Sequence, residues 1–159
     1  MKSGHPRHIL VRGVNWLGDA VMTTPAVLRI RERFPEARIT LLCPEKLRDV
    51  WTSHPAVDAV QTFAPGEGLM SVARGLRGIR ADLAVVFPNS FRSALEPWMA
   101  GIPRRVGSGR FPRTFVLTDR VAADPSTVRM RKRTLSESLR KRETRSARDR
   151  EAALTARDE

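Results

Sequence analysis

HILVRGVNWLGDAVMTTPAVLRIRERFPEARITLLC, residues 8 to 43, holds two apolar runs on either side of a stretch with helical spacing. His8 to Val14 reads as a strand, residues 18 to 34 as a helix, and residues 38 to 43 as a second strand. Pro25 either kinks that helix or restarts it behind Thr24. The turn between the first strand and the helix carries Asn15, Trp16, Gly18 and Asp19. In an α/β sheet such a turn lies at the carboxyl end of a strand, which is where ligands bind.

The pattern continues outward from this unit. Residues 45 to 53 make a short helix and Val57 to Phe63 a third strand. Leu69, Val72, Ala73, Leu76 and Ile79 fall at the 3, 4, 7 spacing of a buried helix face. Asp82 to Phe87 gives a fourth strand, ended by Pro88-Asn89-Ser90, and a helix follows to about Ala100. Arg105-Val106 and Phe115-Val116-Leu117 are weaker strands. Continuous apolar strands alternating with helices predict an α/β parallel sheet with helices on both faces.

Composition narrows the setting. The chain has 159 residues, 41% of them apolar, enough for one domain with a real core. A formal charge of +12 points to an anionic partner. Cys43, the one cysteine, sits inside an apolar strand, so neither a disulfide nor a thiolate metal cluster is expected and a reducing compartment suits the chain. No apolar stretch approaches the roughly 18 residues of a spanning helix. The expected location is the cytoplasm. Residues 1 to 124 hold 18 basic and 11 acidic side chains, whereas residues 125 to 159 hold 11 and 6 in a much shorter stretch. That tail has no Phe, Trp, Gly or Cys, and Leu135, Leu139 and Leu154 are too sparse for a core-facing stripe. One domain over 1–124 and a basic tail over 125–159, disordered or a solvated helix, are therefore expected.

The first turn departs from the common phosphate loops. Gly13 and Gly18 have P-loop spacing, but Asp19-Ala20 stands where Lys and Ser/Thr belong, and an acid there repels a triphosphate. Asn15 replaces the second glycine of the dinucleotide fingerprint. The loop is built to present a carboxylate.

NWLGDAVMTTPAVLRIRERFPEARITLL followed by VVFPNSFRSALEPWMAGIPRRVG resembles the amino-terminal half of the lipopolysaccharide heptosyltransferases, glycosyltransferase family 9, over roughly residues 8 to 121. The resemblance implies that the parallel sheet is the Rossmann-like amino-terminal half of a GT-B fold, and it implies an inverting, metal-independent transfer that needs no cofactor. The acceptor, the inner core of lipopolysaccharide, would sit on this half, and ADP-heptose on a second domain. It implies that Asp19 is the general base, and that Asn15, Trp16, Gly18, Asn89, Ser90 and Arg92 line the acceptor side. Family members are longer and their donor-binding domain has no counterpart here, so a fragment inactive alone is expected. A standalone acceptor-binding module served by a separate donor-domain chain is the alternative. A nucleic-acid binder rests on charge only, without a stacking platform or a reading helix. Peripheral contact with the inner membrane would accompany either heptosyltransferase reading.

Each residue also has a plainer reading. A helix start favours an acid through the macrodipole alone, and burial against Trp16 would better suit Asp19 to accept a proton. Asn89 and Ser90 suit helix capping. Arg92 and Glu96, spaced i, i+4, read as a solvated ion pair. Arg104, Arg105, Arg110 and Arg113 read as solvated surface. His5, His8 and His54 lack ligand spacing, and packing explains Met70, Trp51 and Trp98.

Overall fold

The structure, a computed structural model, describes residues 5–109 and 111–122. The tail and Arg110 lie outside the described residues, as do the expectations attached to them. Six strands form one parallel sheet: β1 (His8–Arg12), β2 (Arg38–Pro44), β3 (Ala59–Phe63), β4 (Leu83–Val86), β5 (Arg104–Ser108) and β6 (Asp119–Val121). Their spatial order is β3-β2-β1-β4-β5-β6. The chain builds leftward from β1 to β3, then crosses back to continue from β4 to β6. The reversal falls between β1 and β4, the switch point at which doubly wound sheets bind ligands.

Helices cover both faces, as the apolar runs require. On one face Ile9, Val11, Ile39, Leu41, Cys43 and Leu83 pack with Ala20 and Val27 of α1 (Leu17–Arg33) and with Trp51 of α2 (Arg48–Thr52). On the other, Leu10, Leu42 and Ala84 meet Val72 and Leu76 of α3 (Leu69–Arg77). Val86 there meets Ala94 of α4 (Phe91–Met99) and Val116 and Leu117. Neighbouring residues of each strand thus serve opposite faces, the period of two that a pleated strand imposes. Ala20 and Val27 are two turns apart and share a helix face.

The helix of residues 17–33 runs through Pro25 without a restart. Proline cannot donate to the Val21 carbonyl one turn earlier. The Thr24 hydroxyl donates to that carbonyl instead, at 2.8 Å.

One strand expectation fails. Phe115-Val116-Leu117 is not a strand: residues Arg113–Phe115 form a 3-10 turn, and the sixth strand is Asp119–Val121. The Arg113 carbonyl accepts from both Val116 and Leu117 N–H groups, which turns those two side chains into the core and leaves Phe115 outside. An out-in-in order suits a tight turn and not a pleat.

Candidate functional site

β1 and β4 are paired with Arg12 opposite Val86. Asn15 and Asn89 each lie three residues beyond those partners, so the two motif loops leave the sheet side by side at its carboxyl edge. Asp19 and Ser90, 71 positions apart in sequence, consequently occupy the same rim.

Gly13 is required by close packing. Its N–H donates to the Leu42 carbonyl at 2.9 Å, and a Cβ would lie 3.2 Å from that oxygen. Gly18 has a different surrounding: a Cβ there would meet nothing within 4 Å. Asp19 is exposed in the first turn of α1, where the helix dipole favours a carboxylate. The expected burial against Trp16 is not formed. Trp16 is 69% exposed and its ring lies 4.8 Å from the Lys46 ammonium, a cation–π contact that draws it toward the end of β2. Leu17, Val21 and Met22 are exposed beside it in sequence.

Ser90 is a helix cap. Its hydroxyl accepts from the Ser93 N–H at 3.2 Å, with Ser90 in an extended conformation. Asn89 does not cap: its carbonyl Oδ1 accepts from Arg113 Nη1 at 3.1 Å. Arg92, half exposed, reaches Glu96 Oε1 at 3.4 Å and donates to the Glu67 carbonyl.

The solvated reading of Glu96 is wrong. Glu96 is fully buried and its close partner is Arg12, whose Nε lies 2.7 Å from Glu96 Oε2 while Arg12 itself is 3% exposed. Arg12 Nη1 also donates to the Gly13 carbonyl at 2.6 Å and to Asn15 Oδ1 at 3.0 Å. The Phe63 ring covers its guanidinium at 4.7 Å. A buried ion pair therefore sits directly beneath the first loop.

Arg113 corrects a second surface assignment. It is 1% exposed, and its guanidinium lies where Gly107 has no side chain, since a Cβ there would come 3.1 Å from Nη2. Its Nε and Nη2 have no hydrogen-bond partner among the described residues, and burial lowers its pKa. Arg104 does remain on the surface, paired with Asp119. Arg105 is partly buried and donates to the carbonyls of Ile102 and Val116. Trp51 is buried as packing requires, but Met70 and Trp98 are 57% and 49% exposed, so packing does not account for them.

His8 Nε2 bonds the Thr40 hydroxyl at 2.8 Å, and burial, helped by Arg38, lowers its pKa. Burial likewise lowers His54 and raises the Cys43 thiol to about 11. No group of three or more potential metal ligands occurs among the described residues. A cavity of about 400 Å³ lined by His8, Arg38, Thr40 and Ile79 opens toward the amino edge of the sheet, away from both loops. No helix among the described residues is long and apolar enough to cross a membrane.

No family model matches the sequence. Individual proteins do. Lipopolysaccharide heptosyltransferase 2 of Escherichia coli K12 is 36% identical over 105 residues, covering 62% of this chain and 30% of that protein. Lipooligosaccharide heptosyltransferase 2 of Haemophilus ducreyi is 32% identical over 117 residues, covering 70% and 33%. Among solved structures, E. coli ADP-heptose heptosyltransferase II superposes with a TM-score of 0.66 at 36% identity, over 74% of this chain and 35% of that one. A glycosyl transferase family 9 protein of Veillonella parvula gives 0.69 at 25% identity, over 76% and 37%. This chain spans about a third of the length of these relatives. The resemblance drawn from the sequence holds, the relatives that match being heptosyltransferases 2, and the parallel sheet corresponds to the amino-terminal part of their GT-B fold.

Proposed function

We propose that residues 1–124 are the acceptor-side domain of an ADP-heptose:lipopolysaccharide heptosyltransferase, with Asp19 as its general base. One observation carries this reading: the L-G-D and P-N-S loops leave paired positions of β1 and β4 at the switch point of a sheet similar to that of heptosyltransferase II. In the proposed step, Asp19 takes the proton of an acceptor hydroxyl as that oxygen attacks the anomeric carbon of the donor sugar. The bond to the diphosphate breaks on the opposite face, and ADP leaves with the electron pair. Exposure of Asp19 at the rim, and the open space over Gly18, support access by a bulky saccharide.

Asn15, Trp16, Gly18, Asn89, Ser90 and Arg92 line the acceptor side in this reading. Ser90 contributes through the helix it caps, and Arg92 through a half-exposed guanidinium that can grip an acidic acceptor group. The acceptor is the lipopolysaccharide inner core, and ADP-heptose is held by a second domain. Exposed Trp16, Leu17, Val21 and Met22 suit peripheral contact with the inner membrane during work in the cytoplasm. A base without a positioned donor lacks the proximity and leaving-group stabilisation that supply most of the rate.

The 159-residue chain alone is therefore expected to transfer no heptose. Residues 1–121 joined to the donor domain of E. coli heptosyltransferase II should regain transfer, and in that chimera Asp19→Asn should lower turnover by about 10² to 10⁴-fold while keeping the fold. Full activity in the Asn variant would reduce Asp19 to a residue favoured by the helix dipole. Activity of the isolated chain would overturn the dependence on a second domain.

A further inference from the structure

Asn15 and Asn89 occupy equivalent places in two loops, and each is exposed. Each also has a buried arginine behind it, from a different part of the chain: Arg12 at 3.0 Å from Asn15 Oδ1 and Arg113 at 3.1 Å from Asn89 Oδ1. A guanidinium has five donors and no acceptor. Only the carbonyl side of a carboxamide can face it, so the orientation of both amides follows from the identity of the residue beneath them.

We infer that Arg12 and Arg113 are positioning residues that fix the polarity of the site, turning the two carboxamide NH₂ groups outward as a matched pair of donors for ligand oxygen atoms. Both arginines are themselves fixed. Arg12 is clamped by Glu96, the Gly13 carbonyl and the Phe63 ring, and Arg113 lies against Gly107. Neither carboxamide can flip without presenting N–H to N–H. The rim therefore selects groups rich in acceptor oxygens, such as the hydroxyl and carboxylate oxygens of a saccharide, and rejects a ligand that offers donors at these two points. This rests on the acceptor-site reading above and assigns the bonding role of its two asparagines.

Asn→Asp substitution separates the inward bond from the outward donor, because an aspartate keeps an inward oxygen for the arginine and replaces the outward NH₂ by an acceptor. In the full chain, Asn15→Asp and Asn89→Asp should each melt at or above the temperature of the unaltered protein at neutral pH, since the inward hydrogen bond becomes charge-assisted. Each should also weaken binding of O-deacylated lipopolysaccharide inner-core oligosaccharide by about tenfold or more. In ¹⁵N-labelled protein the side-chain NH₂ resonances of Asn15 and Asn89 should shift as that saccharide is added. Unchanged affinity in both Asp variants, or NH₂ resonances that stay still while neighbouring backbone amides move, would overturn the donor role. A lower melting temperature in both variants would overturn the orientation. If the unaltered chain fails to bind the saccharide, the acceptor-site reading falls, and the orientation is then decided by the melting temperatures.

Discussion

The buried pair Arg12 and Glu96 allows a sharp test, because its two readings differ by an order of magnitude. A solvated i, i+4 pair between Arg92 and Glu96 would contribute about 0.3–0.5 kcal/mol, so Glu96→Leu would be nearly silent. With Glu96 fully buried and Arg12 at 3% exposure, the same substitution strands a guanidinium with no counter-charge. Breaking a buried pair from one side costs about 3–5 kcal/mol. For a chain of this size that corresponds to a fall in melting temperature of about 6 to 20 °C. Arg12→Met should cost a similar amount or somewhat less, since it leaves the carboxylate only the 3.4 Å contact with Arg92. The double variant Arg12→Met/Glu96→Leu removes both charges, keeps the volume apolar and should recover at least half of the loss. The remainder reflects the Gly13 carbonyl and Asn15 Oδ1, which lose their donors at 2.6 and 3.0 Å. Thermal melting and urea titration of the four proteins measure the cycle. Single variants within about 1 kcal/mol of the parent, or a double variant whose loss is the plain sum of the singles, would refute the buried pair as the dominant partnership of Glu96.

Ser90→Ala removes the hydroxyl that accepts from the Ser93 N–H and should cost about 1 kcal/mol by urea titration, with Ser90→Asp close to the parent. Burial pushes the Asp58 carboxyl upward, but the Ile39 N–H at 2.6 Å and the Arg31 guanidinium outweigh it and hold Asp58 below its ordinary 3.8. A depressed carboxylate stabilises the fold above the unfolded pKa, and that contribution is lost as pH falls through the folded value. Asp58→Asn should accordingly lower the melting temperature at about pH 7, and the gap to the parent should shrink by about pH 2.5. An equal gap at both pH values would remove Asp58 ionisation from the account.

The sheet was readable wherever a strand is buried on both faces. His8–Arg12, Arg38–Pro44 and Leu83–Val86 are central and carry continuous apolar runs, so their existence and parallel direction follow from pattern, while their spatial order does not. The edge was harder to read. Asp119–Val121 is short and largely exposed, and burial leaves no periodic mark there; the apolar triplet before it drew the strand assignment instead. Asp19 and the P-N-S loop were legible because both follow strands and sheet topology brings strand ends together. Arg12, Glu96 and Arg113 were not. Glu96 has an arginine four residues before it, and local spacing pointed there, whereas its true partner lies 84 positions away. Arg113 sits among other arginines, and nothing in the run distinguishes the one that turns inward. Gly107 was the available signal, since a glycine in a short strand marks close approach by something else.

The long-range reach of that first pair bears on how the chain folds as it is made. A ribosome that has released β1 through β3 has produced three strands able to pair, with α1 and α2 to cover one face. Arg12 is then already placed at the end of β1, but Glu96 has not been synthesised. The early half carries a guanidinium pointing at a face with neither its helix nor its counter-charge, which makes closure there unfavourable. Arg113 comes later still, so the second asparagine gains its anchor only after β5 has emerged. Cooperative closure of the switch-point crevice therefore waits for the last quarter of residues 5–122. Nascent chains stalled before residue 96 has emerged from the ribosome should remain open to protease at the β1 end, and chains stalled after residue 122 has emerged should be closed.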